Sequence, residues 1–212
     1  MLEVSNLACT RGDRTLFYNV SFKLEAGGLL HVAGANGSGK TSLLRLLCGL
    51  GAAEAGEVRW HGEPIRTLRE AYWRDVVYMG HANALKDDLS ATENLQVACM
   101  LAGRPTTLSA AREALATFGL AACAHLPTRA LSQGQKRRST LARLALSTQA
   151  RLWILDEPFS ALDVAAVSHL EKLILDYVDG GGSVVFTTHQ DAAIATRITQ
   201  RVDLNDVTQA TC

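Results

Sequence analysis

The sequence predicts an α/β fold built on a parallel sheet, and three observations support this prediction. Short apolar segments that favour strands alternate with segments that favour helices, which is typical of a parallel sheet covered by helices. A glycine-rich loop joins one of these apolar segments to a helix, and another apolar segment ends in two carboxylates. Ligands bind at the carboxyl ends of parallel strands, so both features predict a site at that edge of the sheet.

The composition indicates one packed domain. The chain has 212 residues, of which 48% are hydrophobic and 20% are charged, and this balance favours a globular core over disorder. We therefore expect a single domain over residues 1–212. The 21 basic residues are matched by 21 acidic residues, whereas nucleic-acid-binding proteins carry a basic excess, so we expect no nucleic-acid partner. The five cysteines are scattered and never spaced C-x-x-C, which favours reduced thiols over disulfides or a metal site.

The sequence predicts no membrane-spanning helix. The run from Asn94 to Gly103 is one of the longer uncharged stretches, and its ten residues fall short of the roughly 20 that a spanning helix needs. The first residues do not combine a basic start with an apolar segment, so we also expect no signal peptide.

The amino-terminal half is expected to contain mostly strands. One strand starts near Leu2, and alternating apolar and polar residues predict another at 20–24. A glycine-rich loop then leads into a helix over 42–47 that ends near Gly49. The remaining predicted strands of this half are short apolar segments at 29–33, 57–60 and 76–79.

The sequence pattern changes between residues 87 and 128, where alanine and leucine are frequent and apolar and polar residues do not alternate as they do in strands. This segment predicts a helical insert, with Ser109 as the N-cap of a helix over 110–118. The alternation of strands and helices then resumes. It predicts helices over 133–147 and 164–178 and strands over 151–155 and 183–187.

Residues 34–41 match the phosphate-binding pattern G-x-x-x-x-G-K-[ST] between an apolar strand and a helix. Glycines allow successive backbone N–H groups to turn towards phosphates, and the helix N-terminus adds partial positive charge. Lys40 is expected to reach the β- and γ-phosphates of ATP, and the Thr41 hydroxyl is expected to bind Mg²⁺. The predicted nucleotide-binding residues are Gly34, Ala35, Asn36, Gly37, Ser38, Gly39, Lys40, Thr41 and Ser42.

Four apolar residues, 152–155, run directly into Asp156 and Glu157. A buried strand of this kind delivers its last side chains to the ligand-binding edge of the sheet. Asp156 is placed to hold Mg²⁺, directly or through water, and Glu157 is the candidate general base for the attacking water. Together with the phosphate loop, these residues predict a P-loop nucleoside triphosphatase.

Residues 131–135 read Leu-Ser-Gln-Gly-Gln and resemble the L-S-G-G-Q signature of ATP-binding-cassette (ABC) ATPases, with Gln133 replacing the first glycine. Ser132 and Gly134 at a helix N-terminus are suited to bind an anion. The resemblance implies a homodimer in which two ATP molecules are sandwiched between copies. In that arrangement Ser132, Gly134 and Gln135 of one copy cover the phosphates held by the other.

Two further segments resemble landmarks of ABC ATPases. Residues 160–163 resemble the D-loop, which places Asp163 at the dimer interface, and His189 follows an apolar strand as the switch histidine of the family does. The resemblance implies an N-terminal antiparallel β subdomain and an inserted helical subdomain. It divides the chain into a RecA-like core, residues 1–86 and 129–212, and a helical subdomain at about 87–128.

Two positions depart from the family pattern. His81 stands where most relatives have a glutamine that reaches Mg²⁺ and the attacking water. Its imidazole either replaces that glutamine as a catalytic group or is purely structural. Arg11 stands where relatives stack an aromatic ring on adenine; its guanidinium either stacks on the base or is simply exposed.

Several sequence features narrow the resemblance to the ATP-binding subunits of cytochrome c biogenesis systems. They are the Arg-Thr-Leu-Phe segment, Gly80-His81, Leu-Trp-Ile-Leu-Asp-Glu-Pro-Phe and Thr-Thr-His-Gln. That resemblance implies integral membrane permease subunits of the cytochrome c maturation type, a peripheral place on the cytoplasmic side of the inner membrane, and haem export or haem-chaperone release driven by ATP.

Other functions remain as alternatives at this point. The chain could serve another small-substrate or lipoprotein ABC transporter, or act as a soluble ABC ATPase on nucleic acid or ribosomes. The latter usually carry two cassettes, a coiled coil or basic extensions, which are missing from this sequence. A nucleotide kinase or GTPase would leave the signature and His189 unexplained, and the N-K-x-D motif of GTPases is missing.

Overall fold

The computed structural model describes residues 1–189 and 193–205. Its strands form one antiparallel and one parallel sheet. In this part of the chain the strands are β1 (Leu2–Arg11), β2 (Arg14–Leu24), β3 (Leu29–Ala33), β4 (Ala55–Trp60), β5 (Glu63–Pro64), β6 (Val76–Met79), β7 (Leu152–Leu155), β8 (Ser183–Thr187) and β9 (Gln200–Asp203).

The α-helices of the same residues are α1 (Lys40–Leu47), α2 (Ile65–Leu68), α3 (Glu70–Asp75), α4 (Ala91–Leu101), α5 (Leu108–Thr117), α6 (Gln133–Leu141) and α7 (Val164–Asp179). Short 3₁₀ helices follow α5, precede and follow α6, and precede β9. Within the described residues, no helix combines the length and the apolar character that crossing a bilayer requires.

The two sheets have the order β2-β1-β4-β5 and β6-β7-β8-β3-β9. All pairs in the first sheet are antiparallel, and all pairs in the second are parallel. The predicted α/β fold is therefore confirmed. In the parallel sheet Met79 lies opposite Leu155, which lies opposite Phe186, so β6, β7 and β8 end side by side.

Successive residues of β7 enter two different hydrophobic clusters, because side chains alternate across a strand. Ile154 joins the cluster between the two sheets, which also holds Leu43 and Leu44 of α1. Trp153 joins the cluster on the opposite face, where it stacks on Tyr177 of α7 with ring centroids 3.7 Å apart. The sheet is thus covered on both faces, and its carboxyl edge remains as the place where polar side chains gather.

Two local predictions need correction. Thr107, not Ser109, caps α5: its hydroxyl accepts a hydrogen bond from Ala110 N, whereas the Ser109 hydroxyl donates to Glu113. The helix predicted over 133–147 is α-helical only to Leu141 and then tightens into a 3₁₀ helix over Ala142–Leu146. That tightening places the Ser147 carbonyl 3.2 Å from Trp153 Nε1, which donates to it from the core.

Candidate nucleotide site

The predicted site residues that follow strands meet at the carboxyl edge of the parallel sheet. Four neighbouring strands, β6, β7, β8 and β3, end there, because parallel strands deliver their last residues to one edge. They lead into His81, Asp156 with Glu157, His189 and the glycine-rich loop. A cleft of about 280 Å³ is lined by these side chains, by residues between Asn36 and Ser42, and by Arg11.

The glycine-rich loop has a conformation that side chains would obstruct. Gly34 has φ 146°, and a Cβ there would lie 2.4 Å from Ser38 Oγ. Gly39 has φ 100°, and its Cβ would approach Phe17 Cδ1 at 3.0 Å. Both positions require glycine because positive φ is strained for other residues and because neighbouring atoms leave no space.

Lys40 starts α1 and folds back over the loop. Its ammonium donates to Gly34 O at 2.8 Å and to Ala35 O at 3.1 Å, and the residue is only 8% exposed. Lys40 Nζ also lies 3.2 Å from His189 Nε2. A fixed positive charge therefore sits between the loop and the end of β8.

Asp156 ties the loop helix to the neighbouring strand. Its Oδ2 accepts a hydrogen bond from Thr41 Oγ1 at 2.8 Å, and its Oδ1 accepts one from Thr187 Oγ1 at 2.9 Å. The residue is 2% exposed. Hydroxyl and carboxylate oxygens are the hard ligands that Mg²⁺ prefers, so the pair of Thr41 and Asp156 fits this ion.

The backbone of Glu157 turns sharply after β7. Its φ is 48°, which is unusual for a residue with a side chain, and its N–H donates to Thr187 Oγ1 at 2.8 Å. Glu157 Oε1 is buried, has no hydrogen-bond partner among residues 1–189 and 193–205, and lies 3.5 Å from His189 Nε2. A partly buried carboxylate oxygen with spare accepting capacity is suited to take a proton from a water molecule.

The two departures from the family pattern both border this cleft. Arg11, at the end of β1, and His81, two residues after β6, are exposed and lie on its lining. Stacking of Arg11 on a base and the catalytic part of His81 stay predictions.

The signature and D-loop residues lie elsewhere on the chain. Ser132 caps α6 in a capping box: its hydroxyl accepts from Gln135 N, and Gln135 Oε1 accepts from Ser132 N. Asp163 caps α7 by accepting from Ala166 N at 2.8 Å. All of these residues, and Gly134, belong to the described part of the chain, and none of them lines the cleft. One copy therefore does not bring the signature to its own phosphate loop.

Two contributors were missed at the sequence level. Thr187, with no exposed surface, links Asp156 to Glu157 through one hydroxyl. Arg137 of α6 is 3% exposed and donates to backbone carbonyls at the ends of β6 and β7. Burial lowers the pKa of Arg137, and the charges of Asp156 and Glu157 oppose that change. Arg137 lies on the buried face of α6 four residues before Leu141, but the polar sequence of this helix has no apolar stripe that could have indicated its burial.

Comparison with known proteins gives a consistent result. The profile of a family described as ABC transporter matches residues 17–160. A protein of Aromatoleum aromaticum named cytochrome c biogenesis ATP-binding export protein CcmA is 51% identical over 98% of this chain and 96% of its own length. The CcmA protein of Escherichia coli O157:H7 is 45% identical over 96% of each chain.

Solved structures support the same fold at lower identity. A putative ABC transporter ATP-binding protein from Pyrococcus furiosus has a TM-score of 0.83 and 22% identity, over 97% of this chain and 98% of its own. An ATP-binding cassette solved as a dimer in a post-hydrolysis state bound to ADP and Pi has a TM-score of 0.78 and 23% identity. The match covers 90% of this chain and 88% of the solved one. The match of the family profile and the near-full-length identity to CcmA proteins lead to one conclusion: the chain belongs to the ABC transporter family.

Proposed function

We propose that this protein is the ATP-hydrolysing subunit of an ABC-type membrane complex of cytochrome c biogenesis, serving haem export or haem-chaperone release. The observation that carries the proposal is the convergence of Lys40, Thr41, Asp156 and Glu157 on one cleft at the sheet edge. The names of its near-full-length relatives, which describe ATP-binding export proteins of cytochrome c biogenesis, supply the narrower assignment.

In this proposal residues 34–42 bind the phosphates of ATP. Backbone N–H groups of the loop and the N-terminus of α1 face the anion, and Lys40 adds a full positive charge. Arg11 stacks on the base. Mg²⁺, when bound, offsets phosphate charge. Thr41 and Asp156 would hold the ion through their side-chain oxygens, the ligand type that Mg²⁺ prefers.

Glu157 is the proposed general base. Within the described part of the chain its buried Oε1 has no hydrogen-bond partner, so it has accepting capacity for the proton of the attacking water. His189 Nε2 lies 3.5 Å from Glu157 Oε1 and 3.2 Å from Lys40 Nζ. In this proposal His189 and Lys40 together contact the γ-phosphate. His81, which also lines the cleft, orients the water in place of the glutamine of other family members.

A homodimer with an ATP sandwich completes the proposed site. Ser132, Gly134 and Gln135 lie outside the cleft of their own copy, so they are available to cover the phosphates held by a second copy. Asp163 then lies at the interface between the copies. The proposed division of each copy is a core at 1–86 and 129–212 and a helical subdomain at about 87–128. Each copy thus offers its nucleotide cleft to the signature residues of the other.

The proposed membrane partners are integral permease subunits on the cytoplasmic side of the inner membrane. A groove has a volume of about 270 Å³. It is lined by helix α3, by strand β6, by the segment that follows α1 and by the C-terminal end of α4. Leu50 and Trp73 on it are 50% and 53% exposed, and Leu101, which directly precedes the groove residue Ala102, is 81% exposed. Large apolar side chains exposed together are typical of protein–protein contacts.

ATP hydrolysis by the complex tests the catalytic part of the proposal. Lys40→Ala should abolish ATP binding, whereas Glu157→Gln should retain ATP and trap the ATP-bound dimer with hydrolysis lowered by at least about a hundredfold. Arg112→Gln on the exposed side of α5 is the control and should match the unaltered protein. Retained affinity in Lys40→Ala would contradict the phosphate-loop assignment, and unchanged turnover in Glu157→Gln would contradict the base.

Purification from membranes in mild detergent tests the partner assignment. We expect integral membrane proteins to stay attached to the unaltered chain, and Leu101→Asp to release them because a charge cannot be buried unpaired in an apolar contact. Leu108→Asp is the control, since Leu108 is 48% exposed and begins α5, where an acidic residue is favourable. Recovery of the unaltered chain in the soluble fraction alone would contradict the assignment.

A further inference from the structure

One buried arginine connects three parts of the site. Arg137 lies in α6, five residues after Ser132, and is 3% exposed. Its Nη1 donates to Gly80 O at 3.2 Å and to His81 O at 3.5 Å. Its Nη2 donates to Asp156 O at 3.1 Å and to Glu157 O at 2.7 Å. A single side chain of α6 thus holds the chain after β6 and the chain after β7.

These contacts answer a need created by the sheet. Carbonyl groups beyond the last pair of a ladder have no strand partner, and a buried carbonyl without a hydrogen bond is costly. The forked guanidinium has five N–H donors in one plane, so it can satisfy the ends of two neighbouring strands at once. A lysine ammonium at this position has three donors and lacks the fork, so it cannot reproduce the full set.

The contacts also fix the backbone on which Glu157 depends. Glu157 has a φ of 48°, a conformation that its side chain disfavours. Its N–H is held by Thr187 Oγ1, and its carbonyl accepts from Arg137 Nη2 at 2.7 Å and, less closely, from Ser160 N at 3.2 Å. Asp156 N donates to Met79 O at 2.8 Å, so the neighbouring peptide is fixed too. Releasing Arg137 removes the shorter of the two hydrogen bonds to the Glu157 carbonyl and the one that comes from outside this turn, so the backbone that directs the Glu157 carboxylate is held less firmly.

We propose that Arg137 is a positioning residue that joins the helix begun by Ser132 to the general base Glu157 and to the segment that carries His81. This inference rests on the proposed function, because it assigns the regulation of the same hydrolytic site. Arg137 acts through the backbone carbonyls of these residues and makes no contact with the phosphate loop among its hydrogen bonds. It therefore sets the rate of hydrolysis and leaves the affinity for ATP to Lys40 and the loop.

The test compares Arg137→Met, Arg137→Lys and the control Arg112→Met in the full chain purified with its complex. Methionine removes the charge and all donors while filling a similar volume. We expect Arg137→Met to lower kcat about tenfold or more, because a displacement near 1 Å at a catalytic group has such an effect. The Kd for ATP should stay within about threefold, and Arg137→Lys should have an intermediate kcat because it restores part of the donor set.

A double variant separates positioning from a general loss of structure. When Glu157→Gln has already removed the base, adding Arg137→Met should lower the residual rate by clearly less than Arg137→Met lowers it alone, because only the effect through the His81 segment remains. Independent structural damage would instead multiply the two losses, and that result would overturn the inference. An Arg137→Met rate equal to that of Arg112→Met, or an equal loss of ATP affinity and kcat, would overturn it as well.

Three further outcomes complete the test, and the last two distinguish the inference from the proposed function. If Arg137→Met does not fold, Arg137→Lys carries the test, and a kcat equal to that of the unaltered chain would then refute the positioning role. If the unaltered chain hydrolyses ATP and the Arg137 variants do so equally well, the inference fails while the proposed function stands. If the unaltered complex has no ATP hydrolysis, both fail.

Discussion

Replacement of Thr187 by valine is the sharpest perturbation that the site offers. The Thr187 hydroxyl is fully buried, donates to Asp156 Oδ1 at 2.9 Å and accepts from Glu157 N at 2.8 Å. Valine keeps the branched shape that suits β8 but offers neither a donor nor an acceptor. Thr187→Val therefore leaves one carboxylate oxygen and one backbone N–H without their partner, and it changes little else.

The expected cost follows from the two groups left unpaired. An unsatisfied buried polar group costs about 1–3 kcal/mol, and hydrogen bonds to charged groups lie at the upper end of that range. We therefore expect the free energy of unfolding to fall by about 3 kcal/mol. In a chain of this size each kcal/mol lowers Tm by roughly 2–4 °C, so Tm should fall by roughly 6–12 °C.

Urea unfolding of Thr187→Val and of Thr10→Val measures this difference. Thr10 also lies on a strand, but it is exposed, and its hydroxyl donates to the Glu54 carboxylate at the surface. Thr10→Val should change the free energy of unfolding by no more than about 0.5 kcal/mol, as is usual for surface substitutions. Equal stability of the two variants would refute the claim that the Thr187 hydroxyl holds the acidic end of β7 in place.

Three other predictions concern single side chains. His81→Ala should lower kcat for ATP hydrolysis about tenfold, while His81→Gln keeps it within about threefold because either polar group can orient the water. Steady-state hydrolysis measures both rates, and an unchanged rate in His81→Ala would mean that His81 is structural. Arg11→Ala should raise the Kd for ATP about fivefold, as expected for a lost cation–π contact of about 1 kcal/mol; equilibrium nucleotide binding measures it, and an unaltered Kd removes the stacking role. Burial raises the pKa of the Cys48 thiol, so Cys48 should react with a thiol reagent at pH 8 far more slowly than the less buried Cys123. Peptide mapping shows which cysteine is labelled first, and earlier labelling of Cys48 would contradict its burial.

Elements with a strong local signal could be predicted from the sequence. The apolar segment of β8 was expected over 183–187, and the structure has Ser183–Thr187, because a fully buried parallel strand is a short apolar run. The cap of α5 could not be assigned in this way. Thr107 and Ser109 both carry hydroxyls suited to an N-cap, and only the packing of the insert decides where the first turn begins.

The same contrast applies to the site. Lys40, Asp156 and Glu157 follow strands in recognisable patterns, and the structure brings them to one cleft. Arg137 stands in a run of three basic residues, 136–138, which at the sequence level is equally suited to a solvated helix face. Its function depends on carbonyl groups of residues far along the chain, and backbone acceptors leave no trace in a sequence pattern.

The replacement of the first signature glycine by Gln133 also has a physical explanation. Gln133 is the first residue of α6, is exposed, and does not have the positive φ that would call for glycine. Gly134 is different, because a Cβ there would lie 3.2 Å from the Ala161 carbonyl in the D-loop segment. The sequence therefore departs from the family at the position where a side chain fits and keeps glycine where two backbones approach closely. With Ser132 still capping the helix, the N-terminus of α6 keeps the features that the proposed contact with a phosphate of a second copy requires.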